Sequence, residues 1–283
     1  MRINSPYFYL AFFLILNIFN FVDRNLLIAF APQIKSEFNL TNVQWGLLTG
    51  VYFLFFYSVF GIFMGVLGDK FSRMKIAAAG VFLWSLMTAV TGIAKNFSHL
   101  IFARALIGVG ESALTPNAIS MLSDLFKQNQ RGTASAIYYL GIPLGVGFGM
   151  LIAAFFGPIF GWRAVFIFLG LIGMGLGILT YFLFEPIRGQ LDINFDKTSK
   201  PNSIKDILSM TKSALYNSKC LTFVIIGSIF LHIPLGAGNF EVLWAVNERG
   251  FTASSYNSLF GFLFIIGGTI GALAGGILSD RLS

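Results

Sequence analysis

The sequence is poor in charge. Only 11% of its 283 residues are Asp, Glu, Lys or Arg, while 56% are hydrophobic and the mean hydropathy is +0.77. Ordinary soluble domains carry about 25% charged residues. A soluble chain this apolar could not cover its own surface, so an integral membrane protein is expected. Cysteine is nearly missing too. A single one, Cys220, excludes an intrachain disulfide and a thiolate metal cluster, and two histidines are too few for a metal site on their own. No HExxH, GxSxG or P-loop occurs, so neither an enzyme nor an ATP-driven pump is expected, and no metal or other cofactor is implied. A cleaved leader is not expected either, because the first apolar run is too long and is interrupted by Asp23-Arg24.

What the chain has is long apolar runs. A membrane-spanning helix needs about 20 mostly apolar residues. Eight such runs are read at 7–31, 45–67, 76–94, 100–122, 133–157, 164–184, 220–243 and 255–278. Short connections predict antiparallel neighbours; the one long connection is 185–219. With the N-terminus in the cytoplasm, thirteen of the nineteen Lys and Arg fall inside, four fall outside and two lie within spans. That bias satisfies the positive-inside rule. The net charge of +7 is therefore read as a topology signal, and nucleic acid is not an expected partner. A multi-pass protein of the inner cell membrane is expected. Within 185–219, Ser203-Ile204-Lys205-Asp206 forms a capping-box pattern ahead of Ile207, Leu208 and Leu215. This predicts a short interfacial helix, with a flexible linker as the open alternative.

One pattern recurs. GVLGDKFSRMK (65–75) follows the second span, and GILSDRLS (276–283) closes the chain. Gly65, Asp69, Lys70 and Ser72 correspond to Gly276, Asp280, Arg281 and Ser283. Repeats of this scale in membrane proteins suggest transporter halves. Six spans then form one unit (1–184), the linker follows (185–219), and 220–283 supplies the first two spans of a second unit. On this expectation the chain is part of a twelve-span protein. The repeated loop is a candidate conformational latch built from Asp69, Lys70, Arg73, Asp280 and Arg281; a solvated loop that merely sets topology is the alternative.

Glycines mark close helix contacts. Gly141, Gly145 and Gly149 repeat every four residues around Pro143, and Gly65 and Gly108 occupy other spans. Small residues at this spacing let helix backbones approach.

The charges inside spans are the main functional signal. They are Asp23 and Arg24 in the first span, Arg104 and Glu111 in the fourth, and Glu241 near the outer end of the seventh. A charge at the bilayer centre costs about 2.5–3.5 kcal/mol on insertion scales. At about 1.5 Å per residue, Asp23 lies roughly 6 Å and Arg104 roughly 10 Å outward of the span midpoints, with Glu111 at the middle. Two acids and two bases thus share one layer, with Asn20 beside it. A buried cluster that only fixes packing is a poor stabiliser, so a wet, functional cavity is the favoured reading. Arg24 and Arg104 keep their charge and are candidates for holding an anionic group, with Asn20 as a further contact. Asp23 and Glu111 can exchange protons: desolvation raises a carboxyl pKa and nearby Arg lowers it. They are the candidate proton-coupling pair. Glu241 and Trp244, after Gly236 and Gly238, are candidate substrate contacts, with an interfacial helix end as the open alternative.

Three stretches carry a resemblance. GVLGDKFSRMK resembles the loop 2–3 signature of the major facilitator superfamily, with Ser72 in place of the usual Gly. ARALIGVGESALTP (103–116) resembles its span-four motif, and YLGIPLGVGFG (139–149) its span-five motif. FVDRNLL, FLWSLMTAVTG and GVGESALTP are most similar to the spinster-like branch. The resemblance implies an all-α superfamily fold, a complete N-terminal six-helix bundle and the first two helices of a C-terminal bundle. It implies alternating access, with the loop latch stabilising the outward-open state, and a proton-coupling role for the span-one Asp and span-four Glu. The implied substrate is small or lipid-like, anionic or amphipathic, with lysolipids or sphingoid lipids on one side and the organic acids of another branch on the other. Membrane lipids and protons are the remaining partners. A non-transporting membrane protein on the same fold is the competing class.

Overall fold

The computed structural model describes residues 5–191, 213, 216–232 and 234–282. The described residues are helical and turn structure. Long apolar helices cover Pro6–Ala29, Asn42–Lys70, Arg73–Gly92, Phe97–Leu125, Gln128–Tyr181 and Ala253–Ala272, each long and apolar enough to cross a membrane. The expected eight runs all fall on helices, but several are broken, and each break has a local cause.

The first span is α1 (Pro6–Ala29), which bends at Phe30 into α2 (Ala31–Glu37). Pro32 supplies the bend, because it has no N–H for the Ile28 carbonyl. The region 32–44, expected as a connection, therefore starts as helix. A capping box at Thr41 and Gln44 opens α3 (Asn42–Gly46), which passes through a π-helical turn (Leu47–Val51) into α4 (Tyr52–Lys70). Ser72 then caps α5 (Arg73–Gly92). The fourth span is two pieces, α6 (Phe97–Glu111) and α7 (Leu114–Leu125). Pro116 cannot donate to the Ser112 carbonyl, so the helix breaks next to Glu111.

Likewise α8 (Arg131–Tyr139) gives way to α9 (Gly141–Tyr181) ahead of Pro143. The Asn17 side chain on α1 donates to the Tyr138 carbonyl at this break, at 2.8 Å. Within α9 the chain reverses at Gly161, whose φ of +76° suits glycine. The packing establishes the reversal. Gly141, Gly145 and Gly149 follow α1 upward past Asn17, Phe21 and Val22, whereas Gly170 and Gly177 follow α5 downward past Ala89 and Phe82. The expected connection 158–163 thus shrinks to a hairpin bend.

Among the remaining described residues are α10 (Lys219–His232), a 3-10 segment (Pro234–Phe240), α11 (Glu241–Arg249) and α12 (Ala253–Leu282). The span 220–243, expected with a break at Gly236 and Gly238, is corrected in one respect: its helix ends earlier, at His232 ahead of Pro234, and a 3-10 segment follows. The expected interfacial helix at 203–215 lies outside the described residues, apart from Ser213.

Two apolar cores fill the bundle. One joins Phe13, Leu16, Trp84, Leu114, Met121 and Tyr138 toward the end that holds residues 71 and 126. The other joins Leu26, Phe30, Trp45, Leu48, Leu100 and Trp162 toward the opposite end. Between them lies a band of buried polar residues: Asn17, Asn20, Asp23, Thr88, Arg104 and Glu111.

Candidate functional site

That polar band is the charge layer. The local folding explains its geometry. Asp23 and Arg24 are adjacent on α1, so their side chains diverge by about 100°. Arg24 turns toward α6, where its Nε lies 2.5 Å from Glu111 Oε2. Asp23 turns toward α5, where its Oδ2 accepts from Thr88 Oγ1 at 3.2 Å. The Arg24 guanidinium also stands over the rings of Phe21, Phe53 and Tyr57, at 5.0, 4.9 and 4.5 Å. Arg104 meets the same Phe53 ring at 4.4 Å. A desolvated cation–π contact is worth about 2 kcal/mol or more, so Phe53 eases the burial of both cations.

The layer is under-satisfied. Asn20 Nδ2, Asp23 Oδ1, Trp84 Nε1, Arg104 Nε and Glu111 Oε1 are all buried and have no hydrogen-bond partner among the described residues. Asn20 lies beside Glu111, and Trp84 beside Asp23. Buried polar groups are normally paired. Five orphans in one band mark a place that water, an ion or a solute group can enter. Gly108 packs α6 on α4: a Cβ there would fall 2.7 Å from the Phe53 carbonyl oxygen.

The structure brings Asn20, Asp23, Arg24, Arg104 and Glu111 together. It divides them differently from the sequence expectation, since Arg24 is already engaged by Glu111. It leaves Glu241 and Trp244 elsewhere. Glu241 starts α11 and accepts from the Tyr256 hydroxyl at 2.6 Å, while Trp244 is half exposed under Arg249.

The loop candidates separate as well. Asp69 and Lys70 are exposed. Arg73 is buried, and donates to Asp124 Oδ2 at 2.5 Å, Glu185 Oε1 at 2.9 Å, Ser120 Oγ at 2.9 Å and the Pro186 carbonyl at 3.1 Å. Arg188 donates to the carbonyls of Gly68, Asp69 and Phe71, closing the C-terminus of α4. Asp124 also accepts from the Gly189 amide at 2.9 Å. Asp124, Glu185 and Arg188 escaped the sequence reading; the acid-Pro-x-Arg pattern at 185–188 was the available signal. Burial pushes the Glu185 carboxyl up, but contacts with Ser72 and Arg73 outweigh it and hold the group below its usual value. The side chains of Asp280 and Arg281 lie outside the described residues.

Of the packing candidates, Gly141, Gly145 and Gly149 abut α1, and Pro143 abuts Gly268 of α12, but nothing lies within 4 Å of a Cβ added at Gly65.

Known proteins are similar to this chain in sequence and in fold. The sequence model of the Major Facilitator Superfamily matches residues 13–283. Protein spinster of Drosophila melanogaster is 28% identical over 98% of this chain and 46% of its own length. The sphingosine-1-phosphate transporter SPNS2 of Danio rerio is 32% identical over 62% of this chain and 36% of its own length. A probable sphingolipid transporter, a spinster homolog of Arabidopsis thaliana, is 24% identical over 100% of this chain and 65% of its own length. The chain thus spans about half the length of the curated relatives it matches. In fold it is similar to a bacterial homolog of the human lysosomal transporter spinster, solved inward-facing and unoccupied, with a TM-score of 0.83 at 24% identity, covering 100% of this chain and 64% of that one.

Proposed function

The chain belongs to the major facilitator superfamily, and from that premise we propose that it works as a spinster-type secondary transporter, moving an anionic or amphipathic lipid-like solute by alternating access coupled to protons. The observation that carries the reading is the charge layer itself. Asp23, Glu111 and Arg104 are buried between two apolar cores with Arg24 partly buried beside them, and five polar atoms of the band are left unpartnered among the described residues. Such a layer costs stability compared with apolar packing, so a function must retain it.

The chemistry divides among the residues. Arg24 already neutralises Glu111. An anionic headgroup that reached Arg24 would compete with Glu111 for the guanidinium. A carboxylate stripped of its cation in a dry site takes up a proton. Substrate binding and Glu111 protonation are coupled through that shared partner. The Arabidopsis and Danio relatives are described as sphingolipid and sphingosine-1-phosphate transporters, which supports a phosphorylated or zwitterionic amphiphile as solute. Small organic acids are the other substrate class that Arg24 and Arg104 would hold. On this reading residues 1–184 form the N-terminal bundle, and the segment from 220 onward belongs to the C-terminal one.

Uptake into proteoliposomes under an imposed pH gradient tests the proposal, with lysophospholipid, sphingosine-1-phosphate and small organic acids as parallel substrates. Gradient-stimulated uptake of a lipid-like substrate is expected, and Glu111→Gln should abolish the stimulation. Equal uptake with and without the gradient would remove the coupling. No uptake of any of the three would remove the transport reading.

A further inference from the structure

Asp23 and Arg104 face one another across a small cavity without forming a direct bond. Asp23 Oδ1 and Arg104 Nε are both buried and, among the described residues, without a hydrogen-bond partner. Both residues line the same cavity, together with Thr91 and the apolar walls of Leu48, Leu100 and Phe166. Thr91 Oγ1 donates to the Met87 carbonyl at 2.9 Å, so its lone pairs remain available to the cavity. The space for a water-sized centre is about 10 Å³, and a cavity of about 10–15 Å³ on that measure holds one water. A buried water needs two to four polar partners. Here one acceptor, one cationic donor and one hydroxyl converge.

We propose that a single bound water bridges Asp23 Oδ1, Arg104 Nε and Thr91 Oγ1, and that it is the last station of the proton on its way to Asp23. The inference rests on the proposed proton coupling. It deepens that reading by naming Thr91 and Arg104 as the residues that position the water. The water accepts from Arg104 Nε–H and donates to Asp23 Oδ1 and Thr91 Oγ1. When a proton reaches the water from the aqueous side, the water passes one of its own to Oδ1. An O–H bond forms on Asp23, one O–H bond of the hydronium breaks, and neutral water is left. The reverse step returns the proton.

The bridge also explains why Asp23 and Arg104 stay apart. A direct ion pair would hold the carboxylate ionised; a water between them keeps Oδ1 open to a proton. The groups around Asp23 are Arg104 and Glu111 from α6, Thr88 and Trp84 from α5, and apolar Phe166 from α9. Its neighbour Arg24 turns away to Glu111. Among the described residues Arg104 is therefore the nearby cation left without an ion-pair partner to hold the water.

Three measurements test this. In a structure of the protein resolved finely enough to show waters, one ordered water is expected within hydrogen-bond distance of all three atoms; a dry or differently filled cavity overturns the proposal whatever transport does. In proteoliposomes, Thr91→Val keeps the side-chain volume but removes the hydroxyl. It should lower gradient-driven uptake about tenfold and flatten its pH profile, and Thr91→Ser should restore both. An unchanged profile in Thr91→Val, beside an Asp23→Asn variant that has lost gradient-driven uptake, sinks the water while leaving the coupling reading intact. Unchanged gradient-driven uptake in Asp23→Asn sinks the coupling role of Asp23 instead. If Thr91→Val fails to fold, the ordered-water measurement decides alone.

Discussion

Arg24 and Glu111 form one ion pair, 2.5 Å apart and separated by 87 positions in sequence. The Glu111 side chain is fully buried, with 0% exposure. Arg24→Ala would strand that carboxylate. Removing one member of a buried pair costs about 3–5 kcal/mol, so a large drop in unfolding midpoint is expected in detergent. The double variant Arg24→Ala/Glu111→Gln should recover part of the loss. A single variant with wild-type stability would show that the pair does not hold the fold.

Arg73 is a fork with four acceptors, two on α7 and two in the segment after α9. Lysine has no planar fork and cannot reach them together. Arg73→Lys should therefore behave nearly as badly as Arg73→Ala, destabilising by about 3–5 kcal/mol through the buried Asp124 left behind. Limited proteolysis at the 185–191 segment, read against thermal unfolding, checks this. A fully stable lysine variant would contradict it.

The same cluster sets a pH dependence. The Glu185 carboxyl is held below its reference value of 4.5. A depressed carboxylate stabilises the fold above its unfolded-state pKa, and the stabilisation is lost as pH falls through the folded value. Acid conditions below about pH 4.5 should thus loosen the 185–191 segment, measured by hydrogen exchange. Glu185→Gln should be looser at neutral pH and show a smaller acid response. Glu37 follows the same sign: the hydrogen bond from Arg163 lowers it first, against burial, with Trp162 assisting.

Two glycines of similar sequence appearance should diverge. A Cβ at Gly145 would lie 2.6 Å from the Ile18 carbonyl oxygen, a backbone atom that cannot step aside. At Gly65 nothing lies within 4 Å. Gly145→Ala should cost about 1–3 kcal/mol by overpacking, while Gly65→Ala should fold normally. Parallel thermal melts distinguish the two, and equal midpoints would overturn the contrast.

Much of this architecture was legible in the sequence. Apolar run length placed the spans, because backbone groups in lipid must be satisfied within the helix. Residue depth placed Asp23, Arg24, Arg104 and Glu111 in one layer, because rise per residue is constant. Partner choice was not legible. Helix rotation put Arg24 and Asp23 on different sides, but only the crossing of α1 with α6 decides that Glu111 meets Arg24. The breaks at Pro32, Pro116 and Pro143 were readable in principle, but their apolar surroundings masked them; the one in span seven was legible from Gly236 and Gly238. Arg188 and Glu185 were missed for a different reason. They sit just past the sixth span, where hydropathy ends and only tertiary contact gives a charge its role.

The seam between the first six spans and the later helices is closed by one kind of side-chain bond. Where α3, α1 and α9 meet the later helices, Trp45 Nε1 donates to the Asn239 carbonyl at 2.9 Å, Asn257 to the Ala29 carbonyl at 3.0 Å, and Ser254 to the Ala154 carbonyl at 2.8 Å. All three are neutral bonds onto backbone oxygens. Among the described residues every ion pair lies instead between positions 24 and 188. Each neutral bond contributes only about 0.5–1.5 kcal/mol net, because water replaces it readily. Parting that seam would separate no ion pair among the described residues, and water could replace each hydrogen bond lost; its resistance to opening is left to the apolar contacts of Ile28, Val242, Leu243 and Ile265.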